Sequence, residues 1–363
     1  MSSEFACRLN QINEFIEESN LDGLFIKRRD SFSWATCGFS NTIDEGSELG
    51  WGELYFTRDE RYIISANVEK ERFQNEEVRG MGFKSLDYPW HGEIDSFYAR
   101  LFDGKRVGAD VDFAGTENVN ADLMGLRFDL SDGEIGRMRE LCHDVAHAMA
   151  DTCYESKPGM TGFEIKGEML RKLTSRQIEA PVLFIGSDQR LFDYRHCLTK
   201  NIPVEKYFLM TVCARRHGLV CATSRLVHFG KLPEELETKI AKLACVDVAF
   251  IHNSVPGNTL DQVLQFGAEE YAAQGYPGEW KLHYQGGSIG YGLRDIEASE
   301  LTKDVIRPGW CFAWNPTIKG TKIEDMFIQT DSGPDFLTMI DGWPTVTGTY
   351  KGVSLERPSI LVR

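Results

Sequence analysis

Pro158-Gly159-Met160-Thr161-Gly162-Phe163-Glu164-Ile165 returns later in the chain as Pro256-Gly257-Asn258-Thr259-Leu260-Asp261-Gln262-Val263. Each copy opens on a Pro-Gly turn. Each continues as Thr-x-x-Glu or Thr-x-x-Gln, a capping box in which two side chains answer each other's exposed backbone N–H at a helix start. Helical periodicity precedes the copies, over residues 132–154 and 234–253, and follows them, over 162–176 and 260–273. After each the pattern turns strand-like, at 182–186 and 280–283. The repeat predicts two helix-helix-strand halves packed about a pseudo-twofold axis. A cleft between such halves is a natural ligand site.

Toward the N-terminus, Ser131 and Glu134 form another capping-box pair. Ile135, Met138, Cys142, Val145, Met149 and Cys153 then recur at helical spacing, so a domain boundary falls near residue 130. Residues 1–130 alternate helical and strand-like patterns, as in an α/β domain. Phe5, Leu9, Ile12, Phe15 and Ile16 lie on one helix face, and 24–26 is a short buried strand. Further strand-like runs are 31–37, 53–57, 62–65 and 106–109, with a helix over 67–73. Residues 131–363 form the second domain. There 207–214 and 219–229 predict a hairpin, and 310–314 with 324–330 a second strand pair. His143 and His147 are four apart on the long helix, but no Glu follows His143 and no third ligand is near. They read as surface or half-buried imidazoles.

The chain of 363 residues carries 55 acids against 40 bases, a formal net charge of −15 spread without acidic or basic blocks. That balance favours solubility and argues against nucleic acid or an anionic membrane as partner. Nine cysteines are scattered without a C-x-x-C pair, as expected of reduced, buried thiols. The N-terminal residues lack a leader pattern, and no run reaches the roughly 18 apolar residues of a membrane span. The expectation is a cytoplasmic protein whose partner is a small-molecule substrate.

Between the second repeat copy and the last strands lies His283-Tyr284-Gln285-Gly286-Gly287-Ser288-Ile289-Gly290-Tyr291-Gly292-Leu293-Arg294-Asp295. Its glycines permit sharp turns and close approach of a ligand to the backbone. Its polar residues all offer hydrogen bonds. Gly286 to Gly290 also satisfies G-x-S-x-G, but no histidine follows His283 and Gly292 weakens a following helix, so a serine-hydrolase elbow does not fit.

The landmarks occur in a fixed order over residues 131–340: Lys157 to Thr161, Arg195-His196, Thr223-Ser224-Arg225, His283 to Asp295, Ala313-Trp314-Asn315-Pro316, and Glu324-Asp325. This order resembles the pita-bread fold family of methionine aminopeptidase, aminopeptidase P, prolidase and creatinase. The resemblance implies an α/β (α+β) chain: a small N-terminal α/β domain followed by a C-terminal pita-bread domain with a pseudo-twofold internal repeat. It also implies a homodimer. The peptidases of this family hold two divalent metals with two Asp, one His and two Glu. Carried over residue by residue, the first Asp falls on Thr211, the second on Ala222, the His on Gly287 and the first Glu on Asn315; only the last matches, at Glu324. Loss of four of five ligands implies that a two-metal site does not assemble; no metal and no cofactor are expected.

Creatinase also lacks those ligands and hydrolyses a C–N bond with His and carboxylate chemistry. The resemblance therefore implies His196 as general base and acid, with Glu324 as its carboxylate partner or a substrate anchor. Candidate substrate-binding residues are His283, Gln285, Gly287, Ser288, Tyr291, Asn315, Arg225, Arg294 and Lys322, a set suited to a small polar metabolite. Arg195 and Lys319 are further candidates, and the resemblance to creatinase implies that Arg28 and Arg29 reach a neighbouring subunit's cleft. The expected activity is metal-independent hydrolysis of an amide, amidino or peptide-like C–N bond. The alternatives are a metal-dependent Xaa-Pro aminopeptidase or dipeptidase, and a non-catalytic binding module that keeps the cleft.

Overall fold

The computed structural model describes residues 2–330 and 332–363. The chain divides into two compact units, Met1–Ile135 with His217–Leu219, and Gly136–Arg216 with Val220–Arg363.

The first unit is a mixed six-stranded sheet in the order Lys84–Tyr88, Arg61–Ala66, Leu49–Thr57, Gly23–Arg28, Val107–Ala109, Glu117–Asn118. Phe25, Tyr55, Tyr98 and Phe102 form an aromatic core on it, with Phe25 edge-on to Tyr98 and Phe102 at 5.8 and 5.5 Å. Two local expectations fail here. Residues 31–37 are not a strand; Arg29–Ala35 is a helix, buried all round. A short apolar run buried on every side has no period to distinguish the two states, and Asp30 Oδ1 accepts the Ser31 N–H to start the turn. The expected helix over 67–73 is one α-turn, Lys70–Arg72, running into a π-turn, Phe73–Glu77.

The second unit is built from the repeat. The first half contains the helices Asp132–Glu155 and Gly162–Thr174 and the strand Glu179–Ser187; the second contains the helices Glu234–Asn253 and Leu260–Ala273. Both capping boxes form, Thr161 with Glu164 and Thr259 with Gln262. The Pro-Gly turns are pinned alike: Gly159 N–H donates to Val204 O at 2.8 Å and Gly257 N–H to Ile306 O at 3.1 Å, and isolated bridges join Thr161 to Pro203 and Thr259 to Val305. The second half departs from expectation at 280–283, where Glu279–Leu282 is a 3₁₀ turn. Gly278 enters it in the left-handed conformation at φ 80°, and the Gln285 amide closes it by donating to Trp280 O and His283 O.

Two sheets carry the site. One has the order Leu361–Val362, Leu219–His228, Tyr207–Arg216, Glu179–Ser187. The other has the order Ile296–Glu297, Gly286–Ser288, Cys311–Trp314, Asp325–Thr330, Gly333–Phe336. The expected hairpin and strand pair are both among these neighbours. All nine cysteines are unpaired; Cys142, Cys153, Cys197, Cys213, Cys221 and Cys311 are buried, while Cys7 is exposed. Among the described residues no helix is long and apolar enough to cross a membrane.

Candidate functional site

Glu324 sits between the short strand Thr321–Lys322 and the strand Asp325–Thr330. Lys322 and Glu324 are two apart in extended chain, so they share one side while Ile323, 1% exposed, turns into the core. The Glu324 carboxylate is 1% exposed and fully engaged. Its Oε1 accepts from Arg294 Nη2 at 2.9 Å, and its Oε2 takes Lys322 Nζ at 2.9 Å and the Ser224 hydroxyl at 2.6 Å. Thr211 Oγ1 lies 2.9 Å from Ser224 Oγ; the Ser224 proton goes to Glu324, so Thr211 donates. Burial alone would push Glu324 up. Lys322 and Arg294, with the Ser224 hydrogen bond, outweigh it and hold the carboxyl down at about 2. At neutral pH Glu324 is a fixed anion, not a proton carrier.

Beside this centre lies a group of rings. His196 and His283 have centroids 5.1 Å apart, Phe184 lies 5.9 Å from His196, and the exposed Tyr284 stacks on His196 at 6.3 Å. The His196 imidazole is lowered by partial burial and by the Lys322 charge, against a weaker pull from Glu324. His283 is more enclosed, and burial, Lys322 and His196 push it down to about 3. Both rings are neutral at pH 7. The expected carboxylate–imidazole hydrogen bond is absent among the described residues: Glu324 serves Lys322, Arg294 and Ser224, and its influence on His196 is through space. A cavity of about 550 Å³ lies against His196, lined by Phe163, Lys166, Val182, Phe184 and Leu198.

Several sequence candidates are engaged elsewhere. Arg225 follows Ser224 on a strand and so faces the other way. Its guanidinium donates to Asp325 Oδ1 at 2.8 Å and Thr338 O at 2.7 Å, within a buried network that continues through Arg357 to Asp247. It is a structural residue rather than a substrate contact. Gln285 has both amide protons on the turn carbonyls and its oxygen on the Tyr271 hydroxyl at 3.1 Å. The Ser288 hydroxyl accepts from Ile296 N–H, and Tyr291 lies wholly in the core. Arg195 pairs with Glu279 and Thr317, and Arg29 is buried against the carbonyls of Glu45 and Ser47. Lys319 meets Glu279 through its backbone N–H, while its carbonyl accepts from Lys239.

The glycines act as closures. A Cβ at Gly287 would stand 2.1 Å from Ile296 O, and one at Gly286, where φ is +106°, 2.2 Å from Ala313 O. Neither opens space for a ligand on its side-chain side. Asn315 stands opposite Glu324 in the sheet register, since Trp314 pairs with Asp325 and Pro316 O accepts from Ile323 N–H. Trp314 reaches Ser254 Oγ at 2.8 Å, so Asn315 lies on the opposite face. The sequence reading missed that Ser224 touches Glu324. Strand alternation around Arg225 was the available signal.

The donor set does not fit a dinuclear metal centre. Thr211, Ala222, Gly287 and Asn315 offer one hydroxyl, one amide and no anion, and the single carboxylate, Glu324, is already paired with two cations. Among the described residues no group of three or more His, Cys, Asp or Glu is placed to hold a metal ion.

A sequence profile of metallopeptidase family M24 matches residues 136–331. The chain belongs to that family. Among solved structures, this M24 chain is similar to the prolidase from Pyrococcus horikoshii, with TM-score 0.79 at 18% identity over 92% of this chain and 98% of that one. It is similar also to an Xaa-Pro dipeptidase from Bacillus anthracis, with TM-score 0.76 at 15% identity over 99% and 100%. An X-Pro aminopeptidase from Thermotoga maritima gives TM-score 0.75 at 15% identity over 95% and 98%. At these identities the likeness establishes the fold alone, the pita-bread fold that the resemblance implied. Among curated proteins none matches the sequence.

Proposed function

We propose that this M24-family chain hydrolyses a C–N bond in a small polar metabolite without a dinuclear metal centre, with His196 carrying the proton. The observation that supports this reading is the ring pair: His196, neutral and open to solvent, beside neutral His283 and the Lys322–Glu324 ion pair. A neutral imidazole accepts a proton near pH 7, and general acid–base transfer of this kind contributes roughly 10²–10⁴-fold. His196 removes a proton from water as the water oxygen bonds to the substrate's carbonyl or amidino carbon. The displaced π electrons move to the heteroatom, and the Lys322 ammonium offsets that negative charge. On collapse the double bond re-forms, the C–N bond breaks with its electron pair on nitrogen, and the proton held by His196 goes to the leaving nitrogen. One water is consumed. Glu324 does not titrate in this sequence; it holds Lys322 and Arg294 in place.

Release of amine from dipeptides, N-acyl amino acids and amidino acids in excess chelator tests the reading. Turnover that survives chelator and disappears in His196→Ala is expected. Turnover only on addition of metal, or a full rate in His196→Ala, overturns it. A second reading, a binding module without chemistry, is favoured by one observation: no carboxylate is hydrogen-bonded to His196 among the described residues. It predicts binding without turnover.

A further inference from the structure

Three buried polar atoms around the Glu324 centre have no hydrogen-bond partner: Asn315 Oδ1, His283 Nδ1 and Arg294 Nε. A buried polar atom left without a partner loses its hydration and gains nothing in return, so three together mark a place where a bound molecule completes the bonding. Their types describe that molecule. The other Arg294 nitrogens are engaged, Nη2 with Glu324 and Nη1 with Leu293 O; Nε is its one nitrogen without a partner. Asn315 Oδ1 requires a donor in return. The charges add a third constraint, because Lys322 and Arg294 bring two positive charges against the one of Glu324. A cation is repelled there, and a monoanion balances the centre.

We infer that this centre is a binding seat for a small monocarboxylate that also carries an N–H. Its carboxylate receives Arg294 Nε–H and an ammonium proton of Lys322, and its N–H donates to Asn315 Oδ1. The seat rests on the hydrolase reading only in calling this ligand the substrate; as a binding site it stands by itself.

Calorimetric titration with three probes tests it: N-acetylglycine, its neutral amide N-acetylglycinamide, and N-acetylsarcosine, which lacks the N–H. N-acetylglycine binds. The amide and the sarcosine derivative each bind about tenfold or more weakly, as expected for loss of one charge-assisted or buried hydrogen bond. Arg294→Gln weakens N-acetylglycine to a similar degree. Should that variant fold poorly, the isosteric Asn315→Asp serves, since its carboxylate repels the ligand while keeping the volume. Equal affinity for acid and amide, unchanged affinity in a folded variant, or no detectable binding of N-acetylglycine overturns the seat. Binding as described with no hydrolysis of any C–N substrate leaves the seat standing and removes the hydrolase reading; turnover without this binding does the reverse.

Discussion

The ammonium of Lys322 stands 2.9 Å from the carboxylate of Glu324, two residues further along the chain, and both side chains are buried. Arg294 holds the other carboxylate oxygen at 2.9 Å. One anion therefore pairs with two cations, which makes Glu324 the member of the group that cannot be lost cheaply. Glu324→Gln leaves Lys322 and Arg294 unpaired and close together, and destabilises by about 3–5 kcal/mol, the usual cost of breaking a buried pair. Lys322→Met costs less, because Arg294 and Ser224 still satisfy the carboxylate. Urea unfolding of the two variants checks the order; a larger loss in Lys322→Met would remove Glu324 from the centre of the arrangement.

His283 gives the fold an acid sensitivity of definite sign. Its folded value, about 3, lies below the ordinary imidazole value of 6.5. The unfolded chain thus binds a proton more readily, and this contribution is complete above about pH 6.5 and lost as pH falls toward 3. Between pH 7 and pH 4.5 the loss is about 2–3 kcal/mol, at 1.36 kcal/mol per unit below the unfolded value. His283→Gln removes that part of the slope. Urea midpoints at pH 7, 5.5 and 4.5 for the two proteins measure it, and parallel curves would contradict the shift.

Much of this architecture was legible before any coordinates. The repeat at Pro158 and Pro256 announced itself through turn and cap chemistry, which is local and does not depend on what packs against it. The strand Cys311–Trp314 and its neighbour Asp325–Thr330 were legible from their strand-like pattern over 310–314 and 324–330. What failed was whatever depends on a side-chain partner that the hydrophobic pattern does not register. The turn at Glu279–Leu282 has strand-like residues, and the Gln285 amide decides its shape. Arg225 and Arg294 look alike in sequence; Arg225, on the strand Leu219–His228, meets Asp325 in the core, while Arg294, in the loop between Gly286–Ser288 and Ile296–Glu297, meets Glu324 at the site. The sequence also put Gly287 at the place of a missing metal ligand, but not the reason a side chain is barred there.

Arg357 bridges two buried acids, Asp247 through Nε at 2.6 Å and Asp325 through Nη2 at 3.1 Å. Burial keeps the Asp247 carboxyl above its ordinary value even with that partner. Arg357→Met removes both pairs, and about 3–5 kcal/mol of stability goes with them. Adding Asp247→Asn to the variant recovers part of the loss, because the uncompensated acid is gone. A double-mutant cycle by urea unfolding reads the coupling, and strictly additive losses would show that the two side chains do not interact energetically.

Restoring single ligands is not expected to build a dinuclear centre, and Gly287 gives the first reason. A Cβ at that position would lie 2.1 Å from Ile296 O and 3.1 Å from Ala298 N, both backbone atoms of the neighbouring strand segment. Gly287→His therefore does not reach the native state, which soluble yield and near-ultraviolet circular dichroism measure. Asn315→Glu avoids that obstacle, since it adds a carboxylate without touching the backbone. It still binds no manganese or cobalt through gel filtration, because Lys322 and Arg294 already pair with Glu324 and an incoming dication would have to displace both. Metal analysis of the eluted variant decides the matter: one or more equivalents retained by Asn315→Glu would mean that the cation pair yields its place to a metal, and a folded Gly287→His would mean that the neighbouring backbone gives way.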